Sequence, residues 1–216
     1  MFKEYFLIKD KCRAGLLKYM AEAVSLLPKI NNPKILDIGC GTGVPTIWFA
    51  ENYGGIITAI DTDKLAIEWL QRKLAVKKLE NHVNPKNISF FDLRTASNYF
   101  NIILAEGFLN IIGFEQGFVK VIRLIKEGGY FIIHDEYKDH ELKSDFIREN
   151  FCDLVGTVYL DENVWWNNYY KQLETEISSM KSKQLKDLFI SDLNEIEYYR
   201  KDSSSFRSIY YIIKRH

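Results

Sequence analysis

ILDIGCGTGVPTIWFA, residues Ile35–Ala50, decides how the rest of the chain is read. An apolar run of β type, Ile35 to Ile38, opens into Gly39-Cys40-Gly41-Thr42-Gly43 and then into a helical pattern from Val44 to Phe49. Glycines are required where the backbone takes positive φ or where a ligand must lie against it without a Cβ between them. Pro45 suits a first helical turn, whose N–H groups have no partner within the helix. The expectation is a strand, a tight turn and a helix start, with the free amides of the turn facing a ligand above the sheet.

The glycine spacing separates two ligand classes. A dinucleotide site asks for G-x-G-x-x-G, but the position three after Gly41 is Val44. Asp37, Gly39, Gly41 and Gly43, in the order D-x-G-x-G-x-G, instead resemble motif I of the class I S-adenosylmethionine-dependent methyltransferases. In that family the glycine turn, here with Cys40, contacts the amino-acid end of the cofactor, and the acid equivalent to Asp37 helps to organise it. A nicotinamide-dependent oxidoreductase and a non-catalytic S-adenosylmethionine-binding protein stay as alternatives.

Outward from this stretch, Asp10 to Leu27 reads as a leading helix, ended by Pro28 and Asn31-Asn32-Pro33. Its residues Lys11 to Gly15 border the cofactor in similar methyltransferases, although a core or capping role suits them equally. After Tyr53-Gly54-Gly55, a buried strand Ile56–Ile60 ends in Asp61. An acid at such a tip can accept from both ribose hydroxyls, and Asp61 with Thr62 is assigned there. Lys64 to Leu79 is amphipathic and helical. Ile88 to Asp92 is expected to form the third strand, with Glu80–Asn87 as a loop. The resemblance implies that Asp92 accepts from the adenine amino group and that the Leu93 N–H serves a ring nitrogen.

Phe100 to Ala105 is the fourth strand and delivers Glu106-Gly107 to the same edge, where ligands of open α/β sheets bind. Adenine-N6 DNA methyltransferases of the resembled family carry (D/N)-P-P-(Y/F) at this point. Ala105-Glu106-Gly107-Phe108 departs from that pattern, which argues against methylation of bases in nucleic acid. AEGFLNIIGFEQGF, from Ala105 to Phe118, is similar to small-molecule methyltransferases with an EG-x₅-GFE-x-G pattern. Glu106 is therefore a candidate for binding or deprotonating an acceptor, for contacting the cofactor at that edge, or for capping the following helix.

Val119 to Lys126 is read as a helix, Tyr130 to Ile133 as the fifth strand, and His134 as a second candidate proton acceptor or a hydrogen-bonded wall residue. Asp139–Phe151 is helical, Leu154–Leu160 a sixth strand and Phe206–Ile213 the last. Between those strands, Trp165, Trp166, Tyr169 and Tyr170 form two aromatic pairs four residues apart on an expected helix. They are candidates for the acceptor wall or for an ordinary helix–helix core.

The expected fold is a Rossmann-like three-layer α/β/α sandwich with a seven-stranded, mostly parallel sheet, an antiparallel last strand and a helical insertion before it. Residues 1–216 form one domain: a helical segment to 33, a cofactor-binding core over 34–160, an insertion over 161–205 and the last strand over 206–216. Lys plus Arg and Asp plus Glu balance at 29 each, so no global charge draws the chain to nucleic acid or anionic lipid. Cys12, Cys40 and Cys152 lack metal-ligand spacing, which points to a reduced, cytoplasmic protein without a metal. No apolar run reaches the length of a membrane span. The resemblance implies S-adenosylmethionine as cofactor, a small-molecule acceptor of the methyl group on N, O or S, no nucleic acid or membrane partner, and a monomer or homodimer.

Overall fold

The computed structural model describes residues 2–216. A helix α1 (Phe2–Arg13) and a 3-10 turn (Ala14–Leu16) lead into α2 (Leu17–Ser25) and the first strand, β1 (Lys34–Ile38). The chain then alternates through α3 (Val44–Asn52), β2 (Ile56–Asp61), α4 (Lys64–Lys77), β3 (Val83–Asn87) and β4 (Phe100–Glu106). Helices α5 (Leu109–Ile112) and α6 (Phe114–Ile122) precede β5 (Ile125–Glu136), and α7 (His140–Glu149) precedes β6 (Cys152–Leu160). The insertion consists of α8 (Glu162–Trp165), a π turn (Trp166–Tyr170), α9 (Lys171–Ser179), α10 (Lys183–Asp187) and α11 (Ile190–Lys201), and β7 (Ser208–Arg215) closes the sheet.

The strand order is β3-β2-β1-β4-β5-β7-β6, with β7 antiparallel to both of its neighbours and the other pairings parallel. Each inner strand is apolar on both faces, as a sheet covered on both sides requires. On one side Ile35, Ile57, Ile102, Leu104, Ile132 and Ile212 pack with Met20, Phe49, Leu70 and Tyr170. On the other, Leu36, Ile103, Ile133 and Tyr211 pack with Phe118, Val121 and Ile147. The period-two alternation of side chains therefore puts Asp37, Asp61, Glu106, His134 and Tyr210 on the first of these faces, at or near the strand ends. Glu106 stands opposite His134, and His134 opposite Tyr210, in the strand register.

Several elements differ from the sequence expectation. The leading helix begins at Phe2 and is interrupted by the 3-10 turn at Ala14–Leu16, where Gly15 abuts backbone: a Cβ there would lie 2.1 Å from the Asn168 carbonyl oxygen. The third strand is Val83–Asn87, not Ile88–Asp92. Pro85 is tolerated inside it because β3 pairs only with β2, at the sheet edge. Apolar Ile88 and Phe90 lie beyond the strand, lining a ligand-sized slot. Ile125 and Lys126 belong to β5, which starts before the Gly128-Gly129 pair and pairs with β4 through a register shift. The last strand starts at Ser208, since Ser203–Phe206 forms a 3-10 turn. Among the described residues no helix is long and apolar enough to cross a membrane.

Candidate active site

The glycine turn is folded around internal hydrogen bonds. Gly39 and Cys40 donate their amides to Ile60 O at 2.9 and 3.0 Å, Gly43 to Cys40 O at 2.8 Å, and Gly41 to Asp61 Oδ2 at 2.7 Å. The amides expected to face a ligand are therefore largely used within the turn. A pyrophosphate, which needs such donors, finds few here. Gly43 is left-handed at φ 77°, and a Cβ on it would meet Leu70 Cδ1 at 2.4 Å, so glycine is required where the turn packs on α4.

Beside this turn lies a trough of about 340 Å³, lined on one side by Asp37, Gly39, Cys40, Gly41 and Pro45 and on the other by residues of α1. Asp37 is buried and accepts a 2.5 Å hydrogen bond from Thr46 Oγ1. Burial pushes its carboxyl up to about 7, opposed by the Thr46 bond. Such a carboxylate gains most from a cation brought beside it. The Cys40 thiol is also pushed up by burial, so it stays protonated and unreactive.

A second hollow, about 300 Å³, continues past Asp61. Gly39, Ile60, Asp61, Thr62, Ile88, Phe90 and Phe91 line it, and Glu106 and Gly107 border it. Asp61 holds the turn through one oxygen and accepts from the Asp63 amide through the other, at 2.8 Å. Phe90 and Phe108, with ring centroids 5.4 Å apart, form an aromatic wall. Asp92 and Leu93 do not line this slot; Asp92 ends a 3-10 turn and is exposed. The aromatic surface of Phe90 and Phe91 stands where the sequence placed a carboxylate.

The third space is a cavity of about 590 Å³ between β5, β7 and the insertion. His134, Ser208, Trp165, Tyr170 and Arg207 are on its walls. The insertion's aromatic pairs differ from the four-residue spacing expected of an α-helix. The π turn widens the step so that Trp165 and Tyr170, five apart, share this cavity with ring centroids 5.9 Å apart. Tyr169 instead lines the trough, and Trp166 stacks on Tyr199 at 5.7 Å, lining neither space.

The three spaces share walls at Arg13, Glu106 and Gly107. Glu106 borders both the trough and the slot, Gly107 borders the slot and the cavity, and Arg13 borders the trough and the cavity. Arg13 Nη2 lies 2.8 Å from Glu106 Oε2, while the Tyr210 hydroxyl donates to Glu106 Oε1 at 2.7 Å. Both carboxylate oxygens are thus engaged. The Arg13 guanidinium also lies over the Trp165 ring, 5.7 Å from its centroid. His134 stacks on Tyr210 at 4.3 Å, and its Nε2 lies 3.0 Å from Ser208 Oγ, which accepts from Trp165 Nε1 at 3.1 Å. Burial lowers the His134 pKa to about 4, against the pull of Glu106, so its ring is neutral at ordinary pH. Sequence reasoning placed the segment Lys11 to Gly15 beside the cofactor without singling out Arg13, whose partner Glu106 lies 93 positions away.

A family model described as a methyltransferase domain matches residues 30–177, more than half of the chain. Methyltransferase GfsG of Streptomyces halstedii is 26% identical over 124 residues, 56% of this chain and 45% of that protein. The chain spans less than half the length of the first curated relatives it matches. Among solved structures, the [4+2]-cyclase SpnF aligns over 92% of this chain and 80% of its own at a TM-score of 0.77 and 13% identity. A putative sarcosine dimethylglycine methyltransferase from Galdieria sulphuraria aligns over 93% and 83%, at 0.68 and 14%. A methyltransferase from Thiobacillus denitrificans, solved with S-adenosyl-L-homocysteine, aligns over 91% and 89%, at 0.63 and 16%. At these identities the solved structures establish the shared fold, while the family model establishes membership: the chain belongs to the methyltransferase domain family and has the Rossmann-like fold of the class I S-adenosylmethionine-dependent methyltransferases.

Proposed function

We propose that this protein transfers a methyl group from S-adenosylmethionine to a nitrogen, oxygen or sulfur atom of a small molecule. The observation that carries the reading is a run of shared walls: Glu106 lines both trough and slot, and Arg13 and Gly107 join them to a separate cavity. The donor set fits the cofactor in each part. Asp37 offers a buried carboxylate for an amino group, Asp61 a carboxylate at the strand tip for a ribose, and Phe90 a flat apolar face for a base. Bound there, the cofactor supplies an already activated methyl group.

The work left to the protein is alignment and exclusion of water. Trp165, Tyr170 and Ser208 shape the acceptor side of the junction, and Arg13 with Glu106 forms a charge-neutral partition beside it. Glu106, with both oxygens engaged, acts in this reading as a fixed charge rather than as the proton acceptor. His134 lines the cavity with its Nε2 on Ser208 Oγ, so in this reading a proton reaches it through that hydroxyl, although burial makes the ring a weak base. Metal ligation has no part in this reading.

The test is incubation of the protein with deuteromethyl-labelled S-adenosylmethionine and fractionated cell extract, followed by mass spectrometry. A small molecule heavier by one labelled methyl group is the expected result. The contrasting reading is a protein that binds the cofactor and methylates nothing. Tight binding of S-adenosylhomocysteine with no labelled product in any fraction would select it.

A further inference from the structure

Two segments far apart in sequence cover this site. Helix α1 brings Tyr5, Phe6, Lys9 and Arg13 to the trough, whereas the insertion brings Trp165 and Tyr170 to the cavity and only Tyr169 to the trough. Together they form one continuous cover. Lys9 is ion-paired with Asp192 of α11, which is only 3% exposed. Lys11 Nζ lies 2.6 Å from Glu176 Oε1 on α9, and the Tyr5 ring meets Phe189 at 4.7 Å. At the break after α1, Gly15 lies bare against the Asn168 backbone of the π turn.

Helix α1 is in turn fixed to the glycine turn. Asp10 accepts from Thr42 Oγ1 through one oxygen and from Trp69 Nε1, at 2.9 Å, through the other, which is also 2.6 Å from Lys73 Nζ. An unbroken set of contacts therefore runs from Thr42 through Asp10 and Lys9 to Asp192. A second branch passes from α1 through Gly15 to the π turn, which carries Tyr170 and follows directly on Trp165. Both branches begin beside the trough; the first ends on α11, which brings Glu195 and Tyr198 to the cavity, and the second on the π turn, which brings Tyr170 there.

We propose that Lys9 and Gly15 are positioning residues through which occupancy of the trough sets the acceptor cavity. A ligand filling the space beneath α1 holds that helix on the glycine turn. The Lys9–Asp192 pair and the seam between Gly15 and Asn168 then carry the constraint to the π turn. The cavity wall is fully fixed only in the cofactor-bound protein, so the cofactor binds before the acceptor. This inference rests on reading the trough as the S-adenosylmethionine site.

The test needs no knowledge of the acceptor. Amide hydrogen exchange of the full chain is compared with and without saturating S-adenosylhomocysteine. In the wild type, exchange slows at residues 39–42 and 2–13, and also by about tenfold across 165–179 and 190–201, although only Tyr169 of those segments lines the trough. Asp192→Asn keeps the slowing at 39–42 and loses it in the insertion, whereas Asp192→Glu retains both. Gly15→Ala acts through sterics alone and behaves as Asp192→Asn does, which covers the case in which a lone buried charge at Lys9 unfolds the helix. Slowing at 39–42 with an unchanged insertion in the wild type overturns the proposal, as does equal slowing of the insertion in the wild type, Asp192→Asn and Gly15→Ala. No slowing anywhere removes the proposed function, and this inference with it.

Discussion

Arg13 and Glu106 meet at 2.8 Å where the trough beside the glycine turn borders the cavity under the insertion, although 93 positions separate them in the chain. The pair puts opposite charges between the two spaces, and Tyr210 donates to the second carboxylate oxygen. Fixed charges and donors of this kind stabilise developing charge without having to reorient at the chemical step.

Glu106→Gln keeps the size of the side chain and a hydrogen bond to Tyr210 but removes the charge beside Arg13. Turnover with labelled cofactor is expected to fall by about tenfold or more, while the dissociation constant for S-adenosylhomocysteine, measured calorimetrically, changes much less. The fold should lose less than the about 3–5 kcal/mol typical of breaking a buried pair, since the Arg13 side chain is 30% exposed. Wild-type turnover in this variant would remove Glu106 from the mechanism.

Asp61→Ala removes the acceptor of the Gly41 amide together with the proposed ribose ligand. Charge-assisted hydrogen bonds contribute about 1.5–3 kcal/mol each, so affinity for S-adenosylhomocysteine should fall by at least about tenfold. Equal affinities by calorimetry would discard the ribose assignment.

Phe90 and Asp92 separate two accounts of base binding. Phe90→Ala should weaken cofactor binding by about tenfold through loss of aromatic surface, and Asp92→Ala should leave it unchanged, because Asp92 lies outside the slot. Weakening confined to Asp92→Ala would reinstate the carboxylate as the adenine partner.

Asp37 sets a pH dependence whose sign follows from burial. Its carboxyl is raised from 3.8 to about 7 in the folded chain, so the unfolded chain releases this proton first and stability falls as pH rises between those values. Asp37→Asn should flatten the decline of the melting temperature between pH 4 and 7. Cofactor binding has the opposite sign: an amino group favours the ionised carboxylate, so affinity rises through pH 7 and binding below it releases a proton. Calorimetry in buffers of different ionisation enthalpy measures that proton, and its absence would detach Asp37 from the amino group.

His134 gives a complementary signal. Its pKa falls from 6.5 to about 4, so the folded chain refuses a proton that the unfolded chain accepts, and stability is lost as pH falls from 6.5 towards 4. His134→Gln should reduce that acid sensitivity in pH-dependent melting. If His134 takes the acceptor proton, the rate should bend near pH 4 and stay level through pH 6.5; a bend at 6.5 would assign the step to an exposed group.

Much of the fold and part of the site were legible in the sequence because they are local. The glycine turn, the acid at the tip of β2 and the alternation along β4 and β5 depend on backbone geometry within a few residues, and Asp37, Asp61, Glu106 and His134 fell where those rules put them. Contacts between distant segments decided the rest. Pro85 is acceptable in β3 only because that strand is an edge, and Phe90 replaces Asp92 in the slot because the strand ends earlier. Arg13 reaches Glu106, and a π turn aims Trp165 and Tyr170 into one cavity, because Gly15 lets two backbones touch. Hydrophobic periodicity reports which face of a segment is buried, but it carries no record of which other segment buries it, and that pairing is what the packed chain alone determines.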